Sequence, residues 1–294
     1  MSAKLHTIQW RQGPLAFELQ TESGDIHQHA EKILTYWKSD PTAEPLPPAT
    51  IRLVAEKSDA GFSYREASAV EPVATYSTSC VLMRAIEAHA AFAVIDNPHL
   101  LVSVHGALLE KNGAGILVVG PSHAGKSTIS CGLWANGWRL LADDMTVIDP
   151  ETLTAEPVLR RVSLREKSRD ILGHEFWSQV ENLSSCDLTS EGLVFHPEEL
   201  NGQSRGMRVP LRAIVFLQRQ NAPPLEPGCF SLISSATALI CLAPYTNLLQ
   251  QTQWAPTLQR LAPLAGRVPI YDFGRGPIPA MLKGMDQLWH QAAQ

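Results

Sequence analysis

The apolar residues of this chain change period several times, and each change marks a new element. Near the N-terminus, Pro14 to Leu19 reads as a strand and Asp25 to Trp37 as a helix opened by Asp25. Thr50 to Ala55 reads as a second strand. Asp40 to Pro48 carries prolines at 41, 45, 47 and 48. Proline has no N–H for a ladder or helix, so this segment is expected to be a stiff connection. Thr78 to Val94 places Val81, Leu82, Ala85, Ile86 and Ala90 on one side, the spacing of an amphipathic helix. A small N-terminal α+β module over 1–78 and a larger core over 79–294 are the expected divisions.

From Leu100 the pattern sharpens. Leu100 to Glu110 and Ile116 to Val119 are apolar runs joined by Lys111-Asn112-Gly113-Ala114. Asn-Gly is the preferred pair for a two-residue hairpin, because both central positions need positive φ. In that turn Lys111 faces Ala114, and counting back along both strands sets His105 opposite Gly120. A helix is expected over Lys126 to Asn136, with Gly137 as its stop. Trp138 to Ala142 is the next strand, and it runs into Asp143-Asp144. A right-handed crossover would lay it parallel to Ile116–Val119. Further strands are expected over Thr146–Ile148 and Ala213–Gln218, and a last helix over Met281–Gln291.

Between the second apolar run and the helix lies Gly120-Pro121-Ser122-His123-Ala124-Gly125-Lys126-Ser127, followed by Thr128. It fits G-x-x-x-x-G-K-[ST], the pattern of a phosphate-binding loop. Glycine lets consecutive N–H groups converge on phosphate oxygens, and the helix that follows aims its positive end at the same anion. Lys126 supplies a mobile charge for the terminal phosphates of ATP, and the Ser127 hydroxyl is a candidate Mg²⁺ ligand. His123 reads as a residue tolerating left-handed backbone. Asp143 and Asp144 reach the sheet edge where ligands of α/β folds bind. Neighbouring strand residues point opposite ways, so both carboxylates can serve one site only if the chain bends there. One is then suited to Mg²⁺ and the other to accepting a proton from a hydroxyl.

Composition narrows the partners. The 294 residues are 45% hydrophobic and 18% charged, with a formal net charge of −5 and no long basic run. Nucleic acid and anionic membrane are therefore not expected partners. The five cysteines are scattered without paired metal or redox spacing. No apolar stretch suits a signal peptide or a membrane span, so a cytoplasmic protein is expected. Arg160, Arg161, Arg165, Lys167 and Arg169 cluster after the aspartates and read as a solvated helix face.

Three pieces of the chain resemble the HPr kinase/phosphorylases and the HPr-kinase-related proteins. They are Val104-His-Gly-Ala-Leu-Leu-Glu110, Gly120 to Thr128, and Arg139-Leu-Leu-Ala-Asp143-Asp144. Val162 to Ser168 and Val209 to Leu217 are similar to the related group. The resemblance implies an α/β fold: a P-loop HPr-kinase-like core with a mixed sheet. It also implies an ATP- and Mg²⁺-dependent kinase acting on a serine hydroxyl of a peptide or protein. Asp144 would be general base, Asp143 on the metal side, and His105 the positioning or proton-handling group. A homo-oligomer is compatible with this. The later glutamate of that family has no counterpart between Cys186 and Pro210. His196, Glu198 and Glu199 there read as surface residues. A nucleotide-binding regulator and a kinase of a small metabolite such as free serine stand as alternatives.

Overall fold

The computed structural model describes residues 4–12, 15–34, 37, 51–96, 102–158, 160–201, 208–217, 219, 221–248 and 254–292. The proline-rich connection over 40–48 lies outside them. The chain divides into two compact units, Met1–Asp96 and Asn97–Gln294.

The first unit holds β1 (His6–Gln12), β2 (Leu15–Thr21), α1 (Gly24–Leu34), β3 (Ile51–Ser58), β4 (Gly61–Glu66), β5 (Ala74–Tyr76) and α2 (Ser79–Ile95). Its five strands form one sheet in sequence order, with β2 and β3 parallel and the remaining pairs antiparallel. β1 alternates exposed and buried positions over Thr7 to Gln12, the pattern of a strand with one covered face. Trp10 and Phe17 are cross-strand partners and stack at 5.2 Å. Helix α1 begins one residue before Asp25, which sits in the first turn and pairs with Lys57 at 2.5 Å.

Helix α2 is capped by Thr78, whose hydroxyl accepts from the Val81 N–H. It packs against α1 and β4, with Leu82, Met83, Ile86 and Ala90 fully buried. The expected boundary at residue 78 would have given this helix to the core. Its apolar face lies on the first unit, and the division falls after Asp96.

The second unit continues with β6 (Val102–Lys111), β7 (Ala114–Val119), α3 (Lys126–Ala135), β8 (Arg139–Ala142), β9 (Met145–Asp149), β10 (Thr154–Pro157), β11 (Val162–Arg165), α4 (Ser168–Leu172), α5 (His174–Glu181), β12 (Asp187–Thr189), β13 (Gly192–Phe195), α6 (Glu198–Asn201), β14 (Val209–Leu217), β15 (Phe230–Leu232), α7 (Ser235–Leu242), α8 (Trp254–Arg267), β16 (Ile270–Phe273) and α9 (Ile278–Gln291). An eight-stranded mixed sheet runs β10-β9-β6-β7-β14-β16-β15, with β8 also on β6. β7, β14 and β16 are mutually parallel. A three-stranded antiparallel sheet, β11-β13-β12, stands apart.

Alternation along β6 and β7 shows how the sheet is covered. Ala107, Leu109, Ile116 and Val118 enter one core with Ile129 and Leu133 of α3 and Met285 and Leu288 of α9. Leu108, Leu117 and Val119 enter another with Leu242 of α7 and Leu261 and Leu264 of α8. A sheet buried on both faces needs near-continuous apolar strands, which these are. Helix α9 is held close by Gly284, where an added Cβ would lie 2.0 Å from the Gly228 carbonyl oxygen.

The hairpin between β6 and β7 has the expected register. Asn112 and Gly113 have φ of 52° and 81°, Lys111 pairs with Ala114, and Gly106 pairs with Val119. The strand after α3 is parallel to β7, as expected. β6 lies between β7 and β8 and pairs with both. The crossover therefore passes over one strand.

Candidate functional site

The loop that follows β7 is built as a phosphate cradle requires. Gly125 (φ 98°) and His123 (φ 67°) are both left-handed. An added Cβ at Gly125 would touch nothing within 4 Å, so that glycine is needed for its backbone conformation. Gly120 is needed for space, since a Cβ there would stand 2.6 Å from the Leu217 carbonyl oxygen. Helix α3 starts at Lys126 and directs its first N–H groups into the loop. The Lys126 ammonium donates to the Gly120 and Pro121 carbonyls at 2.8 and 3.2 Å. It is buried, and burial lowers its pKa against the opposing pull of Asp143 and Asp144.

The bend that two useful aspartates require is present. Residues 143 and 144 form a bend between β8 and β9, and the Gly106 N–H donates to the Asp144 carbonyl at 2.9 Å. Both carboxylates consequently line a single cleft of about 590 Å³ together with His105 and residues 122–128 of the loop. The register that faced His105 toward Gly120 thus brings three separated pieces of chain to one place.

The two carboxylates have different surroundings. Asp143 accepts from the Ser127 hydroxyl at 2.9 Å through Oδ2. Its Oδ1 is sealed from solvent and has no hydrogen-bond partner. Burial raises its pKa to about 6, the Ser127 hydrogen bond offsetting only part of that effect. Asp144 contacts His105 Nδ1 at 3.1 Å and is paired with Arg160. Burial works to raise its pKa too. The His105 hydrogen bond and the Arg160 guanidinium outweigh burial, so the net shift is downward. One carboxyl is held near neutrality and the other firmly ionised.

An orphaned, water-excluded carboxylate oxygen beside a serine hydroxyl is a donor set suited to a hard oxygen-seeking cation. Asp143 and Ser127 therefore fit Mg²⁺.

Several cleft residues were misread from sequence. Arg160, Arg161, Arg165 and Lys167 all line the cleft, Arg165 and Lys167 from its exposed side, and so do not form one solvated helix face. Arg160 is on Asp144, Arg161 is buried and paired with Asp187, and Arg165 reaches the His123 ring. Arg169, which is half-buried, does not line the cleft and pairs with Glu166 three residues before it. Arg160 and Arg161 precede β11, Arg165 ends it on its exposed side, Lys167 lies in the turn into α4, and Arg169 is within that helix. Glu191, in the turn between β12 and β13, also lines the cleft and had no sequence signal.

His196 and Glu198 are not surface residues. The His196 side chain is fully buried and that of Glu198 is largely so. Glu199 receives the Ser184 and Ser185 N–H groups at 2.5 and 2.8 Å. Burial opposes its ionisation, but these bonds prevail and bring its pKa to about 2. All three lie outside the cleft lining, in a structural role.

No protein-family model matches the chain. Curated relatives do. The HPr kinase/phosphorylase of Chlorobium chlorochromatii is 31% identical over 101 residues, covering 34% of this chain and 30% of that protein. The HPr kinase/phosphorylase of Lachnoclostridium phytofermentans is 28% identical over 169 residues, 54% and 52% of the two chains. That of Streptococcus pyogenes is 45% identical over 58 residues, 19% of each. The chain thus spans about half, or less, of the length of the curated relatives it matches. The solved Hpr(Ser) kinase/phosphatase of Coxiella burnetii aligns with 64% of this chain and 98% of its own, at 14% identity and a TM-score of 0.34. No helix among the described residues is long and apolar enough to cross a membrane. Over the matched stretches the chain is similar in sequence to HPr kinase/phosphorylases, at low identity and over part of their length.

Proposed function

We propose that the protein is an ATP-dependent kinase that transfers the γ-phosphate to a serine-type hydroxyl of a peptide or protein. One observation carries the reading: the ionised Asp144, the buried Lys126 and the glycine loop line the same cleft. Phosphoryl transfer asks chiefly for alignment and charge compensation, and these groups supply both.

In this reading the loop N–H groups and Lys126 hold the β- and γ-phosphates. Lys126 leaves the Gly120 and Pro121 carbonyls to do so. His105 orients Asp144, which takes the proton of the acceptor hydroxyl. The acceptor oxygen forms its bond to the γ-phosphorus as the bond to the β,γ-bridging oxygen breaks, and ADP leaves with that electron pair. Ser127 and Asp143 are the residues that would hold Mg²⁺, which when bound supplies charge neutralisation at the phosphates. Arg160 and Arg165 add positive charge beside the transferred group.

The test is incubation with γ-labelled ATP and Mg²⁺, using candidate peptides, proteins and free serine as acceptors. Labelled peptide or protein is expected. Bound ATP with no labelled product from any acceptor would favour the nucleotide-binding regulator instead. Lys126→Ala is expected to weaken ATP retention about tenfold or more, the size of a charge-assisted hydrogen bond, by equilibrium binding.

Asp143 makes the cation's contribution depend on pH. Its carboxyl titrates at about 6, and a proton there competes with the metal. The apparent affinity for Mg²⁺·ATP should therefore rise as pH climbs through 6, at most about tenfold per unit for one proton. Asp143→Asn should bind more weakly and lose that slope. Without the cation the sign of the stability effect is opposite. Between the usual carboxylate range and about 6 the folded state keeps a proton that the unfolded chain has released, so stability falls as pH rises.

A further inference from the structure

We infer that a second cavity, at the ends of β14 and β16, receives the nucleobase end of the nucleotide; the inference rests on the reading of the loop as a nucleotide site. The cavity measures about 310 Å³ and is lined by Phe216, Arg219, Pro223, Leu225, Asp272 and Arg275, among others. Arg275 also lines the catalytic cleft, so the two spaces share a wall.

Topology sets its direction. Val119, Phe216 and Asp272 are in register across the parallel strands β7, β14 and β16. The phosphate loop leaves β7 one residue later and packs Gly120 against Leu217. At about 4.8 Å per strand, Asp272 lies roughly 10 Å across the sheet from Val119. Asp144 and His105 lie on the other side of β7, toward β6 and β9. A triphosphate lying across the loop with its γ end at Asp144 sends its nucleoside end toward β14 and β16. The acceptor needs the Asp144 side, so it does not compete for this cavity.

The cavity is built in advance. The Gly228 N–H donates to the Gly274 carbonyl, and the Gly274 N–H to the Cys229 carbonyl, at 2.9 and 2.8 Å. A Cβ at Gly274 would stand 2.0 Å from the Glu226 carbonyl oxygen. These contacts fix the 222–229 segment as a wall, the preformed condition usual for small-molecule sites. Inside it, Arg219 meets Asp272 through two parallel bonds of 2.5 and 2.6 Å, with side-chain exposures of only 13% and 6%. A buried ion pair adds little stability over apolar packing of the same volume. A guanidinium held flat by a carboxylate is, however, a rigid planar surface on which a heteroaromatic ring can stack. Pro223 and Leu225 supply apolar contact for the ring.

The experiment compares Mg²⁺·ATP with Mg²⁺·tripolyphosphate by isothermal titration, using wild type, Ala222→Leu, which intrudes on the cavity, and Arg219→Lys. Wild type should bind ATP about tenfold or more tighter than tripolyphosphate. Each variant should lose about tenfold in ATP affinity with tripolyphosphate affinity unchanged, and that unchanged value also reports an intact fold. Equal wild-type affinities for the two ligands overturn the inference, as do variants that leave ATP binding untouched or weaken both ligands together. Failure of wild type to bind either ligand would instead reject the nucleotide loop itself, and this cavity's assignment with it.

Discussion

Replacing Asp144 with asparagine should reduce phosphoryl transfer from ATP by at least about a hundredfold, the loss expected for a general base. The substitution keeps the shape of the side chain and an oxygen for the His105 contact. It removes the charge that pairs with Arg160 and the capacity to take a proton. Nucleotide affinity should change far less, because loop N–H groups and Lys126 are untouched. The measurement is initial rate with saturating acceptor, beside equilibrium ATP binding. Labelling at the wild-type rate would remove Asp144 from the chemistry. The low pKa of this carboxyl gives the same experiment a further reading: activity should not rise with any titration of Asp144 near neutrality, since the group is already ionised there.

The second large effect is structural. Gly284→Ala should destabilise the protein by about 1–3 kcal/mol, the usual range for overpacking. The new methyl carbon would stand 2.0 Å from the Gly228 carbonyl oxygen and 2.7 Å from its carbon. Both atoms are backbone, so no side-chain rotation relieves the clash. Helix α9 would have to lift from that strand of chain, and α9 packs on α3, the helix that starts at Lys126. Urea denaturation should show a lower midpoint at an unchanged slope. A midpoint equal to that of wild type would mean that α9 does not rest on Gly228.

Much of the site was legible because its determinants are local. The Asn112-Gly113 turn states its own φ preferences, and a two-residue turn fixes the register of everything behind it. The loop motif likewise encodes a backbone path through glycines at 120 and 125. The bend at 143–144 was predictable only as a condition, since nothing in two adjacent aspartates compels it. What enforces it is the Gly106 N–H, on another strand.

The residues misread were those whose environment is decided elsewhere. Arg160 and Arg165 have the composition of a solvated face, and only the approach of Asp144 and of the loop makes them part of the cleft. His196 looks polar in sequence but is fully buried immediately after β13. The period-2 alternation of β1 was available to be read and was missed. β4 and β5 are short, half-exposed strands, and only their cross-strand partners define them. Helix α2 was recognised by its spacing, yet an amphipathic pattern says that a face is covered without saying by which neighbour.

The turn between β6 and β7 also sets a rule for how this chain can vary. Side chains along a strand alternate faces, so adding or deleting one residue at 112–113 would swap every position of β6 behind it. His105 would turn away from Asp144, and Leu108 and Leu109 would exchange the two cores they now fill. Substitution there is a local matter of backbone preference. A change of length would dismantle the His105–Asp144 contact and the packing together, so relatives with the same site should keep the spacing between His105 and the glycine loop even where the residues between have drifted.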